Sequence, residues 1–412
     1  MAVIWAYWPH VRPSSVYWES ASEDERVRLL TDCYVAGSRV LEDDEIFKEE
    51  VRALHERMEH IALTEGTGGD SLTEWREICA VSNRHLGHFY SLFNVHFDQW
   101  LRESQEVSRA RDLVSRLVDS QGVSKDEGGA LTLSLPGRDP LVLAKADGST
   151  LYITRDVSSL LYRDSLFNAD QYVYVVERAQ RDHFIALRSV LTFLGREDLA
   201  QKVVHLTYGR VKGLSTRAGR TEAVSDIIES GRGLALEWMR ASPTRKEMSQ
   251  AEEEEAATGL AVSSLVFAEL RRASKSDYEF NWRRTFDPSG GNNALFLHCK
   301  YSRLCSIEEN NRLLLPAMEG AELSDEAGAA GLREALGGVV EAARESARSL
   351  ESHHLANAVL AVGRESGRAS SSLRVAGESS SVALPRLALL SLARRTLHDS
   401  MLLLGLPPLP RI

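Results

Sequence analysis

The sequence predicts an α/β core followed by an all-α C-terminal bundle, and three observations predict it. Tyr172-Val173-Tyr174-Val175-Val176 and Val203-Val204-His205-Leu206 are short β-rich apolar runs on either side of a helix-like stretch at 181 to 195. Strand, helix, strand at this spacing indicates an α/β unit with a buried parallel sheet. From Val224 onward the pattern is helical almost to the end. The turn Asp287-Pro288-Ser289-Gly290-Gly291 interrupts that helical region and marks a domain boundary.

The elements follow in order. Residues 23 to 62 read as helix, because Val27, Leu30, Leu41, Val51, Leu54, Met58 and Ile61 recur at helical spacing among Glu and Arg. After the break Gly66 to Gly69, a second helix is expected from Ser71, closed by a capping box with Glu74 and running towards Tyr90. Leu131-Thr132-Leu133-Ser134-Leu135 alternates, and Leu141-Val142-Leu143 follows Pro140, so both read as strands. A helix-like stretch at 155 to 165 precedes the first β-rich run. Beyond the boundary turn, helices are expected at 292 to 315, 325 to 351, 353 to 365 and 380 to 404, with Ser370 to Ser381 as a loop. The last helix stops at Gly405 and Pro407.

The chain has 412 residues, 43% of them hydrophobic and 26% charged, enough to bury sizeable cores in two or three domains and to exclude global disorder. No apolar run approaches the roughly 18 to 20 residues of a membrane-spanning helix, so no membrane partner is expected. The formal charge is −10, yet Pro288 to Ile412 carries 13 Lys plus Arg against 13 Asp plus Glu, and the acidic excess lies earlier. From Leu360 to the end, seven Arg face three acids, so the C-terminal helices are the place for an RNA partner. Cys33, Cys79, Cys299 and Cys305 fit neither a zinc knuckle nor a redox pair and read as reduced thiols. The N-terminus shows no signal or transit peptide, which reads as intracellular without specifying a compartment.

The segment Leu143-Ala144-Lys145-Ala146-Asp147-Gly148-Ser149-Thr150-Leu151-Tyr152-Ile153-Thr154-Arg155-Asp156 resembles the signature of class I arginyl-tRNA synthetases: a strand, a Gly turn, then Tyr-x-Thr-Arg-Asp opening a helix. The resemblance continues in order through Val175 to Phe184 and Tyr208 to Gly219. Ser276 to Phe280 and Phe296 to Leu304 resemble that family's junction between catalytic core and anticodon-binding bundle, and Leu402 to Leu406 the end of the bundle, with the mitochondrial branch the nearest fit. It implies a Rossmann-like class I synthetase core at 21 to 223 with a helical insertion, a helical connection at 224 to 287, and an anticodon-binding domain of the DALR type at 288 to 412. It also implies ATP with Mg2+, arginine and tRNA(Arg) as reactants, a monomer, and a mitochondrial compartment, the cytoplasm being the alternative.

A free arginine offers a planar guanidinium that prefers a bidentate carboxylate and an aromatic face. Tyr152 and Asp156 are four residues apart at a helix start and can share one pocket. By resemblance they line the arginine site with Gln180; a packed Tyr and a helix N-terminal acid are the plain alternative. The loop after the strand at 203 to 206 is the second site. Backbone groups at Gly209, Arg210 and Val211 can approach adenine closely and, with Leu214, are expected to bind ATP, while Ser215, Thr216 and Arg217 act on its phosphates, by resemblance in place of a Lys-Met-Ser-Lys-Ser motif. The loop has no internal Lys, so Arg217, with Lys212 nearby, must serve; a solvated Gly/Ser/Arg turn is the alternative.

His85-Leu86-Gly87-His88 matches the His-x-Gly-His motif of class I synthetases, but Glu74 to Val81 before it read as mid-helix rather than strand and turn. It is expected to be a chance match. The Rossmann-like core is then partial, lacking the half that carries the true motif, and the Trp- and Tyr-rich segment 1 to 20 is atypical of the family. The competing reading is a catalytically inactive, synthetase-derived tRNA-binding chain. His183 and His353-His354 show no metal-ligand spacing, and Glu252 to Glu255 reads as a solvated helix face.

Overall fold

The computed structural model describes residues 1–64, 70–212, 224–242, 247–287, 291–318 and 320–412. The Gly66 to Gly69 break and Pro288 to Gly290 of the boundary turn lie outside the described residues. The chain divides into two compact units, Met1–Ser91 with His96–His205, and Leu92–Val95 with Leu206–Ile412.

The first unit opens with helices α1 (Ala2–Val11), α2 (Ser15–Ser20), α3 (Glu23–Asp43), α4 (Glu45–Thr64) and α5 (Thr73–Leu92). The single helix expected over 23 to 62 is two, because the chain turns extended at Asp44, whose Oδ1 accepts from the N–H groups of Ile46 and Phe47 and starts α4. Ser22 and Glu25 form a reciprocal capping box at the head of α3. At α5, Ser71 falls in a one-turn 3-10 helix, Asp70–Leu72, and Glu74 accepts from Trp5 Nε1 and Arg12 Nη1, both at 2.9 Å. That carboxylate therefore ties α5 to the N-terminal segment. Segment 1 to 20 is built into the unit: Trp8 is buried with Leu30, Cys33, Ile78 and Val81. Gly37 of α3 lets α1 approach, since a Cβ there would meet Val3 Cγ1 at 2.9 Å.

Helix α6 (Val107–Leu117) leads into strands β1 (Val123–Lys125), β2 (Leu131–Leu133) and β3 (Leu141–Ala144), then α7 (Tyr152–Phe167), β4 (Tyr172–Glu177), α8 (Arg181–Phe193), α9 (Glu197–Lys202) and β5 (Val203–Tyr208). The expected strands at 131 to 135 and 141 to 143 pair antiparallel in a sheet β1-β2-β3, Val123 opposite Leu133 and Leu133 opposite Leu141. Among the described residues, β4 and β5 form a two-stranded sheet within the strand-helix-strand unit. The expected burial holds for one side of β4, while Val175 is 61% exposed. The core joins Leu133 and Leu143 to Val157 and Leu160 of α7, Leu187 and Leu191 of α8, and Leu199.

The second unit holds β6 (Val211–Lys212), α10 (Val224–Ala241), α11 (Gln250–Leu270), β7 (Tyr278–Glu279), α12 (Trp282–Thr285), α13 (Ala294–Asn310), α14 (Ala330–Ser349), α15 (His353–Ser372) and α16 (Ser380–Leu403). Strands β6 and β7 pair in parallel, an element the helical pattern after Val224 did not announce. Helix α13 ends at Asn310 and gives way to 3-10 helix at Arg312–Met318, and α15 takes in Ser370 to Ser372, expected as loop. The run Glu252 to Glu255 is only partly solvated. Glu252 closes a capping box with Ser249, and Glu253 is buried with Arg240 Nη2 3.3 Å away. Leu297 and Tyr301 of α13, Leu332 of α14, Val359 and Val362 of α15, and Leu387 and Leu397 of α16 share one core, the bundle expected at this end. Among the described residues no helix is long and apolar enough to cross a membrane.

Candidate functional site

Helix α7 is set by the strand and turn before it. Gly148 takes φ +81° at the tip of the turn, where Asp147 Oδ1 accepts from the Ser149 N–H at 2.8 Å. These hydrogen bonds from Ser149 hold the Asp147 carboxyl below its usual range. The buried Thr154 hydroxyl then donates to the Leu143 carbonyl at 2.7 Å, clamping the first turn of α7 to β3. Tyr152 is thereby left 71% exposed at the helix start, and Asp156 follows one turn on.

Between them, Arg155 is held in ion pairs. Its Nη1 donates to Glu103 Oε1 at 2.7 Å, its Nη2 pairs with the buried Glu59, and its Nε donates to Thr150 Oγ1. The positive charge next to Asp156 in sequence is therefore spent on other carboxylates. Asp156 Oδ2 lies 2.6 Å from His183 Nε2, on the first turn of α8. Tyr152, Asp156, Ser159, Glu103 and Glu106 share a cavity of about 250 Å³ with Arg102, Arg155 and Arg163, in which Arg155 is held by its carboxylate partners and Arg163 is turned towards the Tyr174 hydroxyl at 3.0 Å. An aromatic ring and a carboxylate with a free edge in one concave space can take a planar cation.

The structure thus brings Tyr152 and Asp156 together, as the spacing predicts. Gln180 is the exposed N-cap position of α8 and is not among the residues lining this cavity. His183, weighed in the sequence only as a metal ligand, is the partner of Asp156 that sequence reasoning missed; the available signal was its place in the block Val175 to Phe184. His85 and His88 lie in the second half of α5, with Glu74 to Val81 helical before them, and His85 Nδ1 is 3.4 Å from Asp24. Among the described residues no group of three or more His, Cys, Asp or Glu side chains converges as a metal site.

At the second expected site the close approach made possible by Gly209 is to the chain itself. A Cβ there would stand 2.4 Å from the Ser276 carbonyl, and the Gly209 N–H donates to the Ser274 carbonyl at 2.8 Å. The Arg210 N–H donates to Asp277 Oδ1, and the Arg210 carbonyl accepts from the Tyr278 N–H. These backbone groups, expected to face adenine, are engaged by the segment leading into β7. Val211 and Lys212 are exposed in β6. Leu214, Ser215, Thr216 and Arg217 lie outside the described residues.

Residues 14–282 match the family model of the class I tRNA synthetase (R) catalytic domain, and residues 297–412 match the DALR anticodon-binding domain. The chain belongs to the class I arginyl-tRNA synthetase family. Arginyl-tRNA synthetases of similar sequence include a probable mitochondrial arginine–tRNA ligase of Mus musculus, 27% identical over 402 residues, and a probable cytoplasmic one of Schizosaccharomyces pombe, 28% identical over 423. Each alignment covers 96% of this chain and 67% of the relative, so the chain spans about two thirds of their length. The fold matches the arginyl-tRNA synthetase of Thermus thermophilus at TM-score 0.77 and 18% identity, over 100% of this chain and 74% of that one. The Plasmodium falciparum enzyme matches at the same TM-score and 19% identity, with 67% of its chain covered. The expected family and fold are thus correct at the level of arginyl-tRNA synthetase, while the relatives include both mitochondrial and cytoplasmic proteins.

Proposed function

We propose that this chain acts in the ATP-dependent attachment of arginine to tRNA(Arg). The observation that carries the reading is the cavity where Tyr152 and Asp156 meet, with the lining Arg155 neutralised by Glu59 and Glu103 and one carboxylate oxygen of Asp156 set by His183. In this reading the substrate guanidinium lies on Asp156 and Tyr152, with Gln180 as a further polar contact. The arginine carboxylate attacks the ATP α-phosphate to form arginyl-adenylate and pyrophosphate, and a 3′-terminal ribose hydroxyl of the tRNA then takes the arginyl group. ATP, with Mg2+, would be held by the loop that starts at Gly209, Arg210 and Val211 and runs through Leu214 to Ser215, Thr216 and Arg217, with groups other than the Gly209 and Arg210 N–H, which Ser274 and Asp277 engage. The helical bundle would hold the tRNA, mainly through phosphate contacts.

A second reading is supported by the β4-β5 sheet, whose face carries exposed Val173 and Val175. Open α/β sheets bind nucleotide at a switch point flanked by strands on both sides. A chain that binds tRNA without forming adenylate fits that observation. Arginine-dependent ATP–pyrophosphate exchange in the presence of tRNA(Arg) separates the two: exchange supports the ligase, and its absence with retained tRNA binding supports the binding protein. The mitochondrial role rests on the mouse relative's name; imaging the tagged chain in cells tests it, a cytosolic signal rejecting it. Light scattering in solution tests the expected monomer.

A further inference from the structure

The junction of β7, α12 and α13 in the second unit encloses a cavity of about 320 Å³ lined by Arg271, Arg272 and Arg284. Their neighbours do not neutralise them. Arg271 donates to the Asn292 carbonyl, and Arg272 donates to the Ala268 carbonyl while lying over the Tyr278 ring at 4.3 Å. Arg284 is exposed. From the rim, Arg364 of α15 donates to Asn292 Oδ1 at 3.2 Å, and Lys300 lies over the Phe296 ring. None of these partners is a carboxylate. Glu279 and Asp287 also line the cavity, but three guanidiniums face two acids there. Burial, and then the charges of Arg272 and Arg284, lower the pKa of Arg271, as crowded and incompletely compensated cations require.

We propose that this cavity seats a phosphate of the tRNA backbone, with Arg271 and Arg284 as its ligands and Arg364 guiding the strand along the rim. Guanidiniums bind phosphate oxygens through paired N–H donors, which suits a phosphodiester better than a neutral ligand in a pocket where arginines outnumber acids. Arg272 lies over the Tyr278 ring and the Tyr278 hydroxyl is engaged by Glu269, while Phe267 and Phe280, which also line the cavity, are buried. Further cations stand beside the cavity, Arg364 on the lining Asn292 and Lys300 on α13, which suits a polyanion more than a single ion. The assignment to tRNA rests on the function proposed above.

The test uses the full chain, with Arg284→Gln and Arg364→Gln as variants, both residues being exposed and thus replaceable without loss of fold. Binding of labelled tRNA(Arg) and of a non-cognate tRNA is measured between about 50 and 200 mM salt. Each variant is expected to weaken both tRNAs by about five- to tenfold and to reduce the salt slope by about one, because a backbone contact carries no sequence information. Unchanged affinity and slope in both variants overturn the proposal. A parallel titration with inorganic pyrophosphate, read by thermal shift, separates the sources: stabilisation lost in the variants with tRNA binding unaltered overturns the backbone assignment in favour of a free phosphate compound. A wild-type chain that binds no tRNA at all overturns the proposed function itself and this assignment with it, an outcome distinct from variants that bind as well as the wild type.

Discussion

His183 Nε2 lies 2.6 Å from Asp156 Oδ2 across a separation of 27 residues, so the first turn of α8 fixes the rotamer of a carboxylate on α7. A carboxylate held by one oxygen presents the other in a defined direction, which lowers the cost of ordering it around a cation. Asp156→Asn keeps the shape and removes the charge, and is expected to weaken arginine binding roughly 30- to 100-fold, about 2 to 3 kcal/mol for a charge-assisted pair. His183→Ala leaves the charge but frees the rotamer, with an expected loss of less than about tenfold. Calorimetric titration with L-arginine checks both; an Asp156→Asn chain that binds like the wild type rejects the pocket.

Gly209 carries a second prediction. A methyl group there would collide with the Ser276 carbonyl and the Asp277 nitrogen, at 2.4 and 2.6 Å, and these are backbone atoms that cannot rotate away. Gly209→Ala must therefore separate β6 from β7 or shift the segment that links α11 to α12. A destabilisation of about 3 kcal/mol or more is expected, in the range of substitutions that force backbone apart. Urea unfolding followed by circular dichroism measures it, and a loss below about 0.5 kcal/mol would show that the approach is not rigid.

What the sequence made legible follows from where its signals are local. Tyr152 and Asp156 share a cavity because four residues is one helical turn, a relation fixed before any tertiary contact forms. His183 was not legible as their neighbour, since only the packing of α8 on α7 through Leu187 and Leu160 brings it there. The β6-β7 pair was invisible for another reason: two-residue strands have no period to detect, and Tyr278 and Glu279 sit in an otherwise helical region. Glu253 was misjudged because an acidic run suggests solvent, whereas Arg240, 13 residues earlier, meets it from α10 and lets it be buried. The antiparallel pairing of β2 and β3 is a matter of direction, which an alternating apolar pattern does not encode.

Asp164 closes α7 onto the following elements and gives a pH-dependent prediction. Its Oδ2 accepts from Arg196 Nη2 at 2.7 Å, its Oδ1 accepts from the Tyr172 hydroxyl at 2.8 Å, and Lys202 Nζ stands 3.8 Å away. The Arg196 hydrogen bond, more than any other contact, holds its carboxyl below the ordinary value. A lowered carboxyl pKa means that the folded state favours the charged form. The stabilisation is then complete above the unfolded value near 4 and is lost as pH falls through the folded value. Asp164→Asn is expected to cost about 1 to 3 kcal/mol at pH 7 and progressively less below about pH 4. Unfolding midpoints of the two proteins between pH 7 and 3 check it; a gap that stays constant would reject the charge as the cause.

His298 works in the same direction from inside the bundle. It is fully buried on α13 between Leu297 and Cys299, and neither ring nitrogen has a hydrogen-bond partner among the described residues. Burial alone pushes its pKa down to about 3, so the ring is neutral when folded, while the unfolded chain takes up a proton near pH 6.5. Between those values the unfolded state binds the extra proton, and stability falls as pH falls, by roughly 1.4 kcal/mol per unit once well below 6.5. His298→Leu removes both the titration and the unpaired polar atoms at similar volume. The variant is expected to match or exceed the wild type at pH 7, by up to about 1 kcal/mol, because no hydrogen bond is lost. Its advantage should widen on going to pH 5. Urea denaturation at pH 7, 6 and 5 measures the gap; a gap that does not grow with acid would mean that the imidazole gains a proton or a partner in the folded bundle.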